Sequence, residues 1–172
     1  VEALAASLSL PPHIVRLLLL RGYDDADAAK LFLRPRLDQL HEARRMAALD
    51  KALDRVARAI RSGETILVHG DYDVDGMCST TLLVRTIRGL GGRAEPFIPH
   101  RITDGYDLTQ AGVDAAIAAK ASVVFTCDCG TSAHTPVDAL NAAGIDVIIS
   151  DHHLPGGPLP NAYAILNPRR PD

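Results

Sequence analysis

The chain has 172 residues, of which 47% are hydrophobic and 23% charged, with 13 Gly and 11 Pro. This composition is typical of a globular protein and excludes intrinsic disorder and a collagen-like repeat. Lys and Arg number 18 against 21 Asp and Glu, for a net charge of −3, which excludes the broad basic surface of a protein that coats duplex nucleic acid. Any nucleic-acid chemistry must therefore depend on a local site.

The cysteine and hydropathy patterns indicate where the protein works. Three cysteines, two of them in the close pair Cys127 and Cys129, argue against a secreted disulfide framework and favour a reducing, cytoplasmic compartment. The apolar run at 14–20 is interrupted by Arg16 and is far shorter than the ~20 residues that span a bilayer, so we expect no membrane segment and no membrane partner. The start at Val1 instead of Met leads us to expect a fragment of a longer protein.

The first 62 residues predict a helical lead-in, because they are rich in Leu, Ala and Arg and their apolar residues recur at helical spacing. From residue 63 onward, short β-branched runs alternate with Ala-rich stretches, which is the pattern of βαβ units around a parallel sheet. We therefore predict an α/β fold, a parallel β-sheet flanked by helices and preceded by the lead-in at 1–62. The predicted strands are 65–68, 94–98, 122–126, 146–150 and 163–166, and the predicted helices between them are 79–90, 109–120 and 136–143.

The residues that follow the predicted strands are unusually polar. Because the carboxyl ends of parallel strands meet at one edge of a sheet, we expect these side chains to converge. So many carboxylates would repel one another without a cation, and together with imidazole they favour Mn²⁺ or Mg²⁺. In chain order, these segments are His-Gly-Asp-Tyr-Asp-Val-Asp-Gly at 69–76, His100-Arg101, Asp128 and Asp151-His152-His153.

Other interpretations exist for the first of these segments. Asp71, Asp73 and Asp75, followed by Gly, match the first half of an EF-hand calcium loop, but the twelfth position is Leu82 and a predicted strand, not a helix, precedes the loop. The aspartates could instead cap the following helix, although one cap needs a single Asp. We consider both interpretations weaker than a divalent-cation site.

The cysteine pair also has an alternative interpretation. Cys127 and Cys129 could form a zinc site with His152 and His153, since Cys and His are standard zinc ligands. In an extended strand, however, both cysteines would point to the face opposite Asp128. We therefore predict that they are small buried residues.

Three motifs in this order, each after a predicted strand, resemble the DHH phosphoesterase superfamily and, within it, the RecJ single-strand-specific exonucleases. The motifs are the segment at 69–76, Asp128-Cys129-Gly130 and Asp151-His152-His153. Weaker similarity, at 99–101, 104–106 and 164–168 and in the lead-in, extends over nearly the whole chain. The resemblance implies a DHH domain at 63–172 that is incomplete at its C-terminal end, because family members carry a fourth metal-binding Asp and a second domain further along.

The resemblance also implies a two-metal site and a role for each residue. His69 and Asp73 would favour one ion, Asp75 and His152 the other, and Asp128 would bridge both. His153 would contact the scissile phosphate or assist the leaving oxygen. The implied metal ligands are His69, Asp71, Asp73, Asp75, Asp128 and His152. The implied catalytic residues are His153, Asp128 and His69. The candidate substrate-binding residues are Ser79 and Thr80, through backbone N–H groups at a helix start, and His100 and Arg101.

The implied function is hydrolysis of single-stranded DNA from its 5′ end in repair and recombination, with two Mn²⁺ or Mg²⁺ ions as cofactors. Single-stranded DNA is the implied partner, and repair or replication proteins could be others. Two alternatives stay open, namely a DHH phosphodiesterase of oligoribonucleotides or cyclic dinucleotides and a catalytically silent DHH scaffold. Whether this fragment alone is active also stays open. The chain differs from RecJ-like proteins at Asp107. RecJ-like proteins commonly have Gly at this position, within the sequence Gly-Tyr-Gly-Leu.

Overall fold

A computed structural model describes residues 1–171, which divide into two compact units, Val1–Glu42 and a larger unit from Ala43 onward. The structure therefore places the last helix of the predicted lead-in in the same unit as the sheet. The boundary between lead-in and DHH domain at residues 62 and 63 stays a prediction.

The first unit is helical, as the sequence predicts. Its first helix leads into a second that has Pro in its first turn, where the missing N–H is not needed. Asp25 caps the third helix by accepting hydrogen bonds from the N–H groups of Asp27 (3.0 Å) and Ala28 (2.8 Å). The helices are α1 (Glu2–Leu8), α2 (Pro12–Leu20) and α3 (Ala26–Leu33), and a 3₁₀ turn follows at Leu37–Gln39.

Residues 1–171 contain no single helix with the length and apolar composition needed to cross a membrane. The pair α1 and α2, bent by 105°, meets the requirement by length and composition alone.

The second unit is an α/β structure with five parallel strands in the order β2-β1-β3-β4-β5. The predicted fold class is confirmed, and each predicted strand matches an observed one to within two residues. After a 3₁₀ turn at Ala43–Arg45, the elements are α4 (Leu49–Ser62), β1 (Thr65–Gly70), α5 (Val74–Gly89), β2 (Arg93–Phe97), α6 (Gln110–Ala118), β3 (Val123–Cys127), α7 (His134–Ala142), β4 (Asp146–Ser150) and β5 (Ala164–Leu166).

Helices cover both faces of the sheet, and the alternation of side chains along β1 shows how. Ile66 and Val68 pack in a buried cluster with residues of α4 and α5, whereas Leu67 packs with residues of α6 and α7 on the other face. Each fully buried aliphatic side chain of this kind contributes roughly 1.5–3 kcal/mol. The same alternation turns His69 toward α6, so this imidazole lies beneath the edge where β1 ends.

The helix after β1 begins at Val74, and the prediction of a start at Ser79 is wrong. Asp73 is the N-cap residue, and its side chain accepts a hydrogen bond from the Gly76 N–H at 3.0 Å. Ser79 therefore lies beyond the first turn of α5. One of the three aspartates in the segment is thus a helix cap, as the alternative interpretation allowed, but it also belongs to the acidic cluster described below.

Candidate metal centre

The site lies at the carboxyl edge of the sheet, where β1, β3 and β4 end side by side. Gly70 is in register with Cys127, which is in register with Ser150. The ladder continues for one more residue, because the N–H groups of the next residues bond to neighbouring strands. Asp71 donates to the Cys127 carbonyl (3.1 Å), and Asp128 donates to the Ser150 carbonyl (2.9 Å). The third residue at this level, Asp151, donates to the Leu166 carbonyl at 3.0 Å. Strand register therefore brings the first acidic residue after each of these strands to the same level.

The first cluster of ligand atoms consists of one carboxylate oxygen from each of Asp71, Asp73 and Asp128, and these three oxygens lie within 4.8 Å of one another. Asp71 and Asp128 are 3% and 8% exposed. The Oδ1 atom of each is buried and has no hydrogen-bond partner among residues 1–171. A buried polar atom without a partner is destabilising, and a bound cation would satisfy both oxygens. These residues therefore fit a divalent cation with oxygen ligands.

The electrostatics of Asp73 and Asp128 also favour a cation. Burial raises the pKa of Asp128, and the nearby negative charge of Asp73 raises it further. The pKa of Asp73 is lowered, above all by the hydrogen bond from the Gly76 N–H. Two carboxylates in contact repel each other unless a proton or a cation lies between them.

The second cluster consists of Asp128, His152 and His153, again with ligand atoms within 4.8 Å of one another. Asp128 Oδ1 lies 2.9 Å from His152 Nε2, but the contact lacks the alignment of a hydrogen bond. Asp128 is the residue that the two clusters share. The bridging role that the resemblance implies for Asp128 stays a prediction.

Asp151, unlike Asp71 and Asp128, has a carboxylate whose two oxygens both accept hydrogen bonds from the chain. Oδ2 accepts from the Thr131 N–H (3.0 Å), and Oδ1 accepts from the N–H groups of His152 (2.6 Å) and His153 (3.1 Å). Oδ1 also lies 2.8 Å from His153 Nδ1. Burial acts to raise the pKa of Asp151, but the hydrogen bonds from Thr131 and His153 outweigh it and lower the pKa. The bond to Asp151 in turn raises the pKa of His153.

His69 and Asp75 are predicted ligands that, within the described chain, belong to neither cluster. His69 is fully buried, and its Nε2 has no hydrogen-bond partner in the part of the chain that the structure describes. Burial lowers the pKa of His69 to about 4, so the ring is neutral at pH 7 and its nitrogen lone pair can bind a metal. The ring packs so tightly against α6 that a Cβ atom on Gly112 would lie 2.8 Å from Nε2. The roles of His69 and Asp75 as ligands stay predictions.

An open cavity of about 400 Å³ adjoins the two clusters. Its lining combines acidic, imidazole and hydroxyl groups with apolar side chains from the turn before α4 and from β5. The lining includes Asp75, Ser79, Asp128, His152, Met46 and Leu166. The cavity is therefore wide enough for part of a nucleotide and has potential metal ligands along its wall.

The sequence predicts that Ser79 and Thr80 bind substrate through free backbone N–H groups at the start of a helix. That prediction is wrong, because α5 starts five residues before Ser79 and these N–H groups lie inside the helix. The Ser79 hydroxyl donates to the Asp75 carbonyl at 2.6 Å and also lines the cavity. Thr80 is buried, and its Oγ1 has no hydrogen-bond partner. A role of either side chain in substrate binding stays a prediction.

His100 and Arg101 are exposed in the loop after β2. The Arg101 guanidinium lies 5.0 Å from the centre of the Tyr72 ring, and the Tyr72 ring meets that of Tyr106 edge-on at 6.2 Å. Tyr106 in turn meets His153 edge-on at 6.4 Å. A row of rings therefore connects Arg101 to the metal-ligand clusters, whereas the imidazole of His100 contacts the Thr103 hydroxyl at 3.3 Å.

The two cysteines are buried, as predicted, but they do not share one face. Asp128 has a positive φ of 66°, so the chain turns there and is not extended. Cys127 packs in the cluster of Ile66 and Val68, while Cys129 Sγ lies 3.5 Å from Nδ1 of His69 on the other face. The geometry therefore disfavours a zinc site formed by both cysteines.

Several residues that hold the site by hydrogen bonds were not predicted, because nothing in the spacing of the sequence marks them. Asn167 is buried, and its Nδ2 donates to Thr131 Oγ1 (2.8 Å) and to the His153 carbonyl (2.9 Å). The Thr126 hydroxyl donates to the Cys129 carbonyl at 2.7 Å. Both residues hold the loops that carry Asp128 and His153. Asn167 lies in one of the segments of weaker similarity, but that similarity indicates no role.

The family model described as DHH family, N-terminal domain, matches residues 65–172. The chain belongs to the DHH family.

Within this family, the chain is similar to RecJ exonucleases, and the resemblance that the three motifs predict is confirmed. It is 34% identical over 171 residues to the single-stranded-DNA-specific exonuclease RecJ of Bacillus subtilis strain 168, which covers 99% of this chain and 22% of the relative. It is 38% identical over 164 residues to RecJ of Escherichia coli strain K12, which covers 95% of this chain and 28% of the relative. The chain thus spans about a quarter of the length of these relatives.

A solved structure gives the same result for the fold. The crystal structure of RecJ in complex with Mn²⁺ from Thermus thermophilus superposes with a TM-score of 0.70 at 32% sequence identity. The match covers 98% of this chain and 23% of that chain. The relative was crystallised with a divalent cation of the kind that the acidic clusters fit.

Proposed function

We propose that this chain is the catalytic portion of a metal-dependent exonuclease that degrades single-stranded DNA from the 5′ end in DNA repair and recombination. The observation that carries the proposal is the convergence of two ligand clusters on Asp128, where the buried Oδ1 atoms of Asp71 and Asp128 accept no hydrogen bond from residues 1–171. The names of the similar proteins, single-stranded-DNA-specific exonucleases, support the choice of substrate.

We further propose that Mn²⁺ or Mg²⁺ binds here as a pair of ions. A bound pair of divalent cations lowers the pKa of a shared water and neutralises charge on the attacking and leaving oxygens of a phosphodiester. Asp71, Asp73 and Asp128 would hold one ion. His152 would contribute to the other, with Asp128 shared between them. Carboxylate and imidazole together suit Mn²⁺, while Mg²⁺ would retain more water.

His153 is the candidate proton donor and phosphate contact. Its Nδ1 faces Asp151 Oδ1 at 2.8 Å, so a proton on Nδ1 is held there and the ring orientation is fixed. The raised pKa of His153 favours the imidazolium form, which leaves Nε2–H able to donate to a phosphate oxygen or to the leaving oxygen. Tyr106 Oη, 3.4 Å from Nε2, marks the direction in which that donor points.

The surface beside the site suits a single strand. Tyr72 and Tyr106 offer ring faces and edges, and Arg101 adds a positive charge within 5.0 Å of the Tyr72 ring. Aromatic rings that stack on bases and cations that contact phosphates are the two components of single-strand binding. The free cysteines Cys78, Cys127 and Cys129 support the further proposal of a reducing, cytoplasmic compartment.

The test is an exonuclease assay on the full-length protein with Mn²⁺ and 5′-phosphorylated single-stranded DNA. We expect mononucleotides from the single strand, little release from a blunt duplex, and none from Asp128→Ala. Equal behaviour of the wild type and Asp128→Ala on DNA would contradict the proposal. Release from oligoribonucleotides or cyclic dinucleotides instead would favour the alternative phosphodiesterase, and Mn²⁺ binding without any hydrolysis would favour a silent scaffold.

A further inference from the structure

Asp107 has an unusual backbone conformation and an unusual pair of hydrogen bonds. Its φ of 73° lies in the left-handed region, which non-glycine residues seldom occupy and which Asp and Asn tolerate best. Its Oδ1 accepts from the N–H of the next residue, Leu108, at 2.8 Å. The same oxygen accepts from the Gly130 N–H at 2.6 Å, across 23 residues of sequence. Asp107 therefore connects the loop after β2 to the loop after β3.

The loop after β3 is the one that carries Asp128, and carboxylates hold it from two directions. The Gly130 N–H is bound by Asp107, and the next N–H, that of Thr131, is bound by Asp151. Asp128 itself has a φ of 66°. A non-glycine residue persists in this conformation only where its surroundings impose it. The bond two residues further along, between Asp107 and Gly130, is one of the interactions that do so.

The residue before Asp107 contacts the second ligand cluster. Tyr106 Oη lies 3.4 Å from His153 Nε2. The loop after β2 therefore contacts the Asp128 loop through Asp107 and contacts His153 through Tyr106.

We infer that Asp107 is a positioning residue of the candidate metal centre, because its carboxylate oxygen holds the Gly130 N–H and thereby keeps Asp128 in the conformation that binds the cation. This inference rests on the proposed function to the extent that the site binds a divalent cation. It assigns a role to the one position where the chain departs from the Gly-Tyr-Gly-Leu sequence.

Three substitutions separate the hydrogen-bond acceptor from the backbone conformation and from the charge. Asp107→Asn retains an acceptor oxygen and tolerates the left-handed conformation, but has no charge. Asp107→Gly adopts the conformation without strain but has no acceptor. Asp107→Ala loses the acceptor and is strained as well.

The experiment is a calorimetric titration of the full-length, metal-free protein with Mn²⁺, alongside its thermal unfolding midpoint without metal. We expect Asp107→Asn to bind Mn²⁺ within about twofold of the wild type. We expect Asp107→Gly and Asp107→Ala to bind it about tenfold more weakly, at the lower end of the ~10–100-fold typical for residues that orient metal ligands. The unfolding midpoint should separate the last two, because only Ala is strained.

The matched control is Asp104→Asn, in the same loop. Asp104 accepts from the His100 N–H (2.8 Å) and the Thr103 hydroxyl (2.9 Å), both within its own loop. We therefore expect Asp104→Asn to leave the Mn²⁺ affinity unchanged.

Three results would overturn the inference. If Asp107→Gly binds Mn²⁺ as tightly as the wild type, the acceptor is not needed; if Asp107→Asn is as weak as Asp107→Gly, charge and not hydrogen bonding is responsible. A wild-type protein that binds Mn²⁺ but leaves DNA intact would contradict the proposed function, while the affinities of the variants would still decide the role of Asp107. A wild-type protein that fails to bind Mn²⁺ would contradict both.

Discussion

Carboxylates at the amino edge of the sheet, where the strands begin, are neutralised differently from those at the carboxyl edge, where the strands end. At the amino edge, the buried Arg55 of α4 bonds to Glu64 before β1, to Asp146 at the start of β4 and to the Ser122 carbonyl before β3. Burial acts to lower the pKa of Arg55, but the bonds to Asp146 and Glu64 outweigh it and raise the pKa. At the carboxyl edge, the buried Oδ1 atoms of Asp71 and Asp128 accept no hydrogen bond from any described residue. At the amino edge, the positive charge that neutralises the carboxylates comes from the chain itself. At the carboxyl edge, we expect it to come from a bound metal ion.

The largest expected effect comes from removing the residue that the two ligand clusters share. Asp128→Asn keeps the size of the side chain but not its charge, so we expect Mn²⁺-dependent activity to fall by more than ~100-fold, beyond what the loss of an orienting residue costs. The metal-free protein should become more stable by about 1 kcal/mol, because a neutral amide replaces a carboxylate whose charged form is disfavoured by burial. Exonuclease rates and urea unfolding without metal measure the two effects. A less stable metal-free variant would show that Asp128 is already satisfied within the chain.

The converse change, at the amino edge, should affect stability and not metal binding. Arg55→Met removes the cation from Glu64 and leaves Asp146 only the more distant Arg58, at 3.9 Å. Removing one partner costs ~3–5 kcal/mol for a fully buried pair. Because Asp146 is 38% exposed, we expect about 3 kcal/mol less stability by urea unfolding. Mn²⁺ affinity should remain within twofold of the wild type. A tenfold loss of affinity would mean that the two edges are coupled.

A bound divalent cation should neutralise the carboxylates at the carboxyl edge, as Arg55 does at the amino edge, and should therefore stabilise the fold. Mn²⁺ at a hundred times its dissociation constant should stabilise the wild-type protein by about 2.7 kcal/mol through binding linkage. Thermal unfolding with increasing Mn²⁺ measures this effect, and Asp128→Ala is the control that should not respond. An equal response in both proteins would place the bound ion elsewhere.

The smallest effect is expected for Asn167, which directly follows β5 and holds two loops of the carboxyl edge by hydrogen bonds. Asn167→Ala removes the two bonds that Nδ2 donates, to Thr131 Oγ1 and to the His153 carbonyl, and the bond that Oδ1 accepts from the Arg169 N–H at 2.8 Å. We expect activity to fall about tenfold and stability to fall by about 2 kcal/mol, roughly 1 kcal/mol for each bond that Nδ2 donates. The matched control is Asn141→Ala, because Asn141 bonds to the Asn161 carbonyl at 2.8 Å in an exposed position. Equal losses in the two variants would indicate a general effect on the fold.

The strands and the convergence of acidic residues could be predicted from the sequence, because both depend on local patterns and on one rule about strand ends. The start of α5 could not, because Asp73 and Ser79 are both good caps and tertiary structure selects between them. The turn at Asp128, which places Cys127 and Cys129 on different faces, is equally invisible in the residue pattern. Contacts such as Asp107 with Gly130 join loops 23 residues apart, and no periodicity predicts them.

The order of the strands has a consequence for assembly. β3 lies between β1 and β4 in the sheet, so a chain in which β3 has not yet docked lacks Asp128 between its two groups of neighbours. Both ligand clusters include Asp128, so neither is complete until the central strand is in place. Completion of the candidate metal centre is thus linked to completion of the sheet.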